Sequence, residues 1–536
     1  MDRDIQVREL YACGENGDLL QYSRNTYQNT VSHIKQDGKL GRQFCEFKGA
    51  RQGHKRASGH FKSYINPCLT TANSSNLGFW IGPICVSCVC VADDTYILSG
   101  TPRNLQALID IVGHYSKRYQ VVFGADKTKV TITGSKKDMD YYKDINIWYL
   151  HGEPLQVAED NDHLGLIVSG WDEEIKNIDL NIDSSRKSLF SLLGNIYSYR
   201  CKLSPTVLSH VWSIYVLPIL RSGLAALPIR PPAMKVLTSF HHKVLRGILK
   251  LGSRSPTPPL YFLLGEPPVE AAVHMDILTL FWCIWANHQT KIHEIVKYLL
   301  KMADSKSLTW TAHVRILCNL YDLPDPLQLL LSPSWSKQKW KDFTHARVLS
   351  HHEHILRVKA SRNYKLQFLN CQTTGLSGRP HPVLNNILTT QDVVKCRVHI
   401  KMLAGDYPCQ YYVGKDRNQD TSCKLCKHLV SPSLPNPSED MVHLLTACRA
   451  TSDTRERILP DLLNAINIDM PTNPILRLQN NVQLAQLVLD PTSLNLPLDI
   501  RVSPDNPLLS TILPICRNYC FSIHKHRTRL LKETLP

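Results

Sequence analysis

Apolar positions recur along the chain in two rhythms. Over "TPRNLQALIDIVGHYSKRY", Leu105, Leu108, Ile109, Ile111, Val112 and Tyr115 return at three- and four-residue spacing, which predicts a helix with one apolar face. Around it, "VVFGADKTKVTITG", "NIWYLHGEPLQV" and "HLGLIVSG" are short β-forming runs. The stretch Leu77 to Ala92 carries no charge, is short for a membrane span, contains Gly82 and Pro83, and reads as a buried strand. It runs into "CVCVADDTYILSG", where a second β-prone run, Thr95 to Leu98, closed by Gly100, predicts a hairpin with Asp93 and Asp94 at its tip. Strand, helix, strand, strand over residues 1 to about 170 predicts an α+β sheet with helices on one side.

Beyond residue 170 the pattern turns helical. Ser204 and Pro205 form a candidate N-cap and N1 pair opening "TVLSHVWSIYVL". In "PPAMKVLTSFHHKVLRGILKLG", Leu237, Phe240, Val244 and Ile248 share one face, while Lys235, Lys243, Arg246 and Lys250 gather opposite. That basic side is either a solvated face or a contact for nucleic-acid phosphates. From about 291 to 420 the chain is helix-prone, basic and rich in histidine, as in "HHEHILRVKASRNYKL". Proline clusters at "SPSLPNPSED" and "DPTSLNLPLDIRVSPDNP" mark loops or linkers, and "HKHRTRLLK" reads as a frayed terminal helix.

Composition narrows the partner. In 536 residues, 43% hydrophobic and 20% charged, the balance is globular and allows about three domains. A net charge of +16 points to a polyanion, and nucleic acid is preferred to a membrane because no lipidation motif or basic amphipathic terminus is present. The charged opening "MDRDIQVREL" is no signal peptide, so the 17 cysteines are expected as reduced thiols in nucleus or cytoplasm, in a chain that is not secreted. Adjacent aspartates repel one another, and a divalent cation held by oxygen ligands is the candidate for compensating Asp93 and Asp94.

Four pieces of sequence then line up: "KGARQGHKRASGHFKSYIN", "IGPICVSCVCVADD", "GADKTKV" and "DHLGLIVSG". Their order and spacing resemble the palm of the reverse transcriptase of a non-LTR (LINE-type) retrotransposon. Singly each motif is weak; four in sequence are specific. "IYVLPILRSGLAAL" and "LLGEPPVEAAV" are more diffusely similar to the thumb and the helices that follow it in that family. The resemblance implies a partial right-hand polymerase palm with a ferredoxin-like sheet at 1–170, its fingers missing. A helical thumb at 171–290, a basic helical connector at 291–405, a zinc-knuckle module at 406–460 and a C-terminal tail at 461–536 would follow.

The resemblance also implies roles. Nucleotidyl transfer to a primer 3′-OH by in-line displacement uses two metal ions on the attacking and leaving oxygens. By position Asp93 is the metal ligand of the A-D-D hairpin and Asp94 supports it, with Mg²⁺ as the cofactor. Arg51 and Gln52 would line the nucleotide and template pocket, Lys127 would lie near the incoming dNTP, and the turn from His163 to Gly165 would be the primer grip. Two bland readings stay open: Lys127 as a surface lysine and Gly165 as an ordinary turn residue. The implied partners are an RNA template and a DNA primer or target.

The chain also departs from the family. The other essential carboxylate belongs to a block of the type F-D-x-x-x-A-F-D, and no such block occurs in the sequence. The opening residues look like the segment that follows it, so Met1 is expected just past the missing aspartate, and Asp2 and Asp4 are poor substitutes. Val91 stands where an aromatic ring is usual, and "HKRASGH" replaces an apolar, proline-containing helix start. Removing one metal carboxylate removes most of a two-metal enzyme's rate, so the polymerase is expected to be weak or inactive. A nucleic-acid-binding protein without chemistry, domesticated or relic, is the competing expectation.

A second constellation lies downstream. In "CKLCKHLVSPSLPNPSEDMVHLLTAC", Cys423, Cys426, His443 and Cys448 follow C-x2-C-x16-H-x4-C, a spacing that can close a tetrahedral zinc site. LINE-type polymerases often carry a C-terminal cysteine-histidine motif of this look. His428, inside the loop, is the weaker ligand candidate. Cys85, Cys88 and Cys90 also show C-x2-C spacing but read as small core residues.

Overall fold

The computed structural model describes residues 1–536 apart from 51–52, 135, 144–146, 197, 199–200, 303–308, 332–334, 373–374, 377, 430–435, 470–479, 494–506 and 535–536. Helix dominates, at 62% against 10% strand, so the class is mixed α+β. The chain divides into two compact units. One holds Met1–Lys176 and Asn287–Asp304, and the other Asn177–Ala286 and Ser305–Pro536.

In the first unit two helices cross at the centre. Pro102–Tyr119 starts on a Thr101 cap with proline at N1 and buries Leu108, Ile109, Val112 and Tyr115, the face that the periodicity marks. It packs on Ala57–Ser74, whose Tyr64, Ile65 and Cys68 complete the core. Helix Arg3–Ala12 is capped by the Asp2 side chain, which accepts from the amides of Asp4 and Ile5. Among the described residues every sheet is two-stranded. Few residues in each run continue the pairing; of "VVFGADKTKVTITG" only Lys129–Val130 is strand.

The reading of Leu77 to Ala92 as one buried strand is corrected. Three short strands occupy it, Phe79–Ile81, Ile84–Val86 and Cys88–Val91, the first two forming their own hairpin. The turn requires Gly82: its φ is +59, and a β-carbon there would stand 2.1 Å from the Tyr298 ring. Pro83 can donate no ladder hydrogen bond. Phe79 and Trp80, 48% and 51% exposed, therefore sit on an open ribbon rather than inside a sheet.

The second unit is helical. Val269–Ala286 is apolar on nearly all sides because it is a core helix, with Phe281 tilted and Trp285 edge-on against Trp340 of helix Lys337–Ser361. Trp340 Nε1 donates to the Leu278 carbonyl at 2.8 Å. By length and composition this helix and Pro205–Ala226 could each cross a membrane (mean hydropathy 1.4 and 1.2), but the ten buried side chains of Val269–Ala286 are spent on this core. The long C-terminal helix, Pro507–Thr534, packs against Thr390–Leu403 and Ser452–Asp469.

Candidate functional site

The A-D-D hairpin forms as expected. Cys88–Val91 pairs antiparallel with Asp94–Ile97, Val91 facing Asp94, so Ala92 and Asp93 make the turn. Both carboxylates are exposed. The base of the hairpin is tied to helix Ala57–Ser74 by Asn73, which accepts from the amides of Ser87 (3.2 Å) and Cys88 (3.4 Å) and donates to the Cys88 carbonyl (3.0 Å). Nothing in the linear pattern marks Asn73, since its partners lie 14 and 15 residues away. Cys85 and Cys88 are buried, and burial pushes the Cys88 thiol up to about 12; Cys90 is half-buried and bonds the Ala92 carbonyl.

The structure brings one further predicted residue to this hairpin. Tyr96, on its second strand, stacks at a tilt on His163 with ring centroids 5.1 Å apart. His163 opens the turn of the hairpin Asp160–His163 to Leu166–Ser169, where Leu164 and Gly165 both have positive φ (+52 and +79). Gly165 is thus a turn residue by backbone demand. Lys127 is exposed in a turn, its amide donating to the Gly124 carbonyl at 3.3 Å, two residues before the strand expected to carry it. Arg51 and Gln52 lie outside the described residues. Among the described residues no third carboxylate, imidazole or thiolate is grouped with Asp93 and Asp94 as a metal set.

The cationic face needs a correction. Lys235 and Lys243 of helix Pro231–Leu249 are exposed, but Arg246 is half-buried and donates to Ser255 Oγ (3.2 Å) and to its carbonyl (3.1 Å). Lys250 is buried, and its ammonium donates to the carbonyls of Ile196 and Ser198. The helix stops there, Lys250 taking a left-handed C-cap conformation (φ +57) that turns its side chain inward, so it adds nothing to a surface stripe.

The downstream quartet closes. Cys423, Cys426, His443 and Cys448 are all buried and their ligand atoms lie within 4.8 Å of one another. Zinc with Zn–S near 2.3 Å and Zn–N near 2.0 Å spans a tetrahedron with S···S edges of about 3.8 Å and S···N edges of about 3.5 Å. The Cys426–Cys448 sulfurs are 3.8 Å apart, and Cys426 Sγ lies 3.5 Å from His443 Nε2. The group could hold a metal such as zinc, and its soft S₃N donor set suits that ion. His428 is exposed and outside the group.

Local backbone geometry assembles these ligands. Cys423 opens helix Lys424–Leu429, its carbonyl accepting from Lys427 N and its amide donating to Pro437 O at 2.8 Å. Asp440 Oδ1 accepts from the His443 amide at 2.7 Å, and the wide turn His443–Ala447 swings Cys448 back, its amide donating to the His443 carbonyl at 2.7 Å. Behind the loop, buried Glu439 pairs with Arg527 at 2.8 and 2.9 Å. Within the cluster, the Cys423 hydrogen bond and His443 hold the Cys448 thiol far below its ordinary range, while Cys423 and Cys426 are pushed up. No protein-family model matches this chain, and no curated protein matches it either.

Proposed function

We propose that this chain is an RNA-directed DNA polymerase of the non-LTR retrotransposon type, working in nucleus or cytoplasm, with Asp93 and Asp94 as its magnesium carboxylates. Residues 1–170 are read as an incomplete palm and 171–290 as a helical thumb. The observation that carries this reading is the hairpin with twin aspartates at its tip, stacked through Tyr96 on His163 of the fourth motif's turn. Exposed carboxylates on a turn can reach metal ions bound to a triphosphate and a primer end, as two-metal transfer requires. Lys127, exposed on a neighbouring turn, is the candidate for contacting the dNTP. Lys235 and Lys243 would contact template or primer phosphates.

Activity is expected to be low, because the 536 residues contain no F-D-x-x-x-A-F-D block. A second reading, a binder of RNA or DNA without chemistry, is favoured by the lack of a third metal ligand beside Asp93 and Asp94 among the described residues. Primer extension on an RNA template with Mg²⁺ separates the two. The polymerase reading expects slow extension that vanishes in Asp93→Asn. No extension, with salt-sensitive retention of RNA, leaves the binder; brisk extension that survives Asp93→Asn sinks the assignment of these carboxylates.

A further inference from the structure

In the second unit, helices Pro231–Leu249, Val269–Ala286 and Trp310–Leu320 surround a cavity of about 710 Å³ to which the polymerase reading gives no role. Its walls are apolar, from Ile229, Met234, Ile316, Leu317 and Leu320. Met234 and Leu317 are buried, whereas Ile316 and Leu320 are 53% and 45% exposed and so mark the mouth, together with exposed Lys235. The volume falls within the range of small-molecule sites, where apolar walls and a few converging polar groups are the usual arrangement.

Polar groups come from all three helices, with Arg230, Ser239 and Thr309 exposed beside Lys235 at the mouth. His242, Glu270, His274 and His313 line the cavity. The His274 and His313 rings meet edge to face at 6.0 Å. His274 Nδ1 lies 2.6 Å from the Tyr321 hydroxyl, which lies 2.9 Å from His352 Nε2, so a buried hydrogen-bonded chain fixes the His274 ring. Burial holds His242 and His274 down to about 4 and about 3, with neighbouring cationic groups adding to the effect, so both imidazoles are neutral at pH 7. Burial also raises the Glu270 carboxyl, opposed by Lys359 and His351.

The chemistry of a ligand follows from the contrast between the histidines inside and the cationic mouth. Apolar walls accept a hydrophobic body, and the imidazole rings among them favour an aromatic one that can also hydrogen-bond. Glu270 would repel an acid placed deep in the cavity, while Lys235 would attract one at the mouth. We propose that this cavity binds an aromatic organic anion, its ring system between Met234 and Leu317 and its acidic head at Lys235. The site shares only Lys235 with the polymerase reading, so the blockade at Leu320, which that reading does not use, tests it separately.

The probe is 1-anilinonaphthalene-8-sulfonate, titrated by fluorescence and calorimetry against the full chain. One saturable site is expected. Leu320→Trp, which fills the mouth from a half-exposed position, is expected to weaken binding at least about tenfold, and Lys235→Glu about fivefold, with thermal midpoints unchanged. Ile316→Trp repeats the blockade from one turn earlier on the same helix if Leu320→Trp does not fold. Decanoate, an aliphatic anion, is expected to displace the dye poorly. Unchanged affinity in the folded blocking variants would overturn the site, and displacement by decanoate as strong as by naphthalene-1-sulfonate would overturn its aromatic preference.

Discussion

Ala92 sits at the tip of the aspartate hairpin with φ +56, a conformation in which a β-carbon crowds the following carbonyl. Ala92→Gly is therefore expected to stabilise the hairpin by about 1 kcal/mol, read as slower hydrogen exchange of the Cys88–Ile97 amides; faster exchange would contradict the strain. Asp490 is a different case. It is fully buried, accepts from Asn370 N (2.8 Å), Thr492 N (3.1 Å) and Thr492 Oγ1 (2.5 Å), and lies 3.4 Å from His381 Nε2. Burial alone would raise its carboxyl, but His381 and these donors outweigh it and hold it below the ordinary value of 3.8. A folded-state pKa below the unfolded one stabilises fully above the unfolded value and loses that contribution as pH falls through the folded value. Asp490→Asn is expected to cost about 3 kcal/mol at pH 6 by denaturant titration, with the gap to the parent chain narrowing below pH 4. Neither residue was legible as such: Asp490 lies 120 positions from Asn370, and no local pattern joins them.

At the scale of single elements, helix Pro231–Leu249 shows what periodicity reports and what it omits. The apolar face was legible, since Leu237, Phe240, Val244 and Ile248 are buried. The opposite face was read as one basic stripe, yet only Lys235 and Lys243 are exposed. Lys250→Ala is accordingly expected to destabilise by roughly 1–3 kcal/mol, by orphaning two carbonyls, without altering retention of nucleic acid. The Cys₃His cluster was legible because its residues fall within 26 positions and their spacing carries the turn and helix geometry. Its attachment was not: Leu530 and Leu531 of the C-terminal helix pack on the quartet from far along the chain. Chelation is expected to lower the thermal midpoint and loosen that helix, with metal at a thousand times its Kd worth about 4 kcal/mol. Because zinc is bound by thiolates, its uptake near pH 7 should release protons from the three cysteines, measurable by calorimetry in buffers of different ionisation enthalpy. Release of none would refute ligation by these cysteines.

For the molecule as a whole, the charge of +16 predicts that RNA retention falls steeply with salt, and Lys235→Glu should flatten that dependence by about one charge. The amino-acid order by itself determined what is written within a few turns of chain: the amphipathic helix Pro102–Tyr119, the aspartate hairpin, the metal-ligand spacing and the basic balance. Periodicity and turn chemistry act over neighbouring residues, so neighbours suffice to read them. Tertiary structure alone decided that Leu77 to Ala92 folds back on itself beneath Tyr298, that Lys250 caps carbonyls more than fifty positions away, and that three helices leave a cavity floored by histidines. Those outcomes depend on which distant surfaces meet, because burial fixes whether a charged or polar group faces water or must find a partner inside.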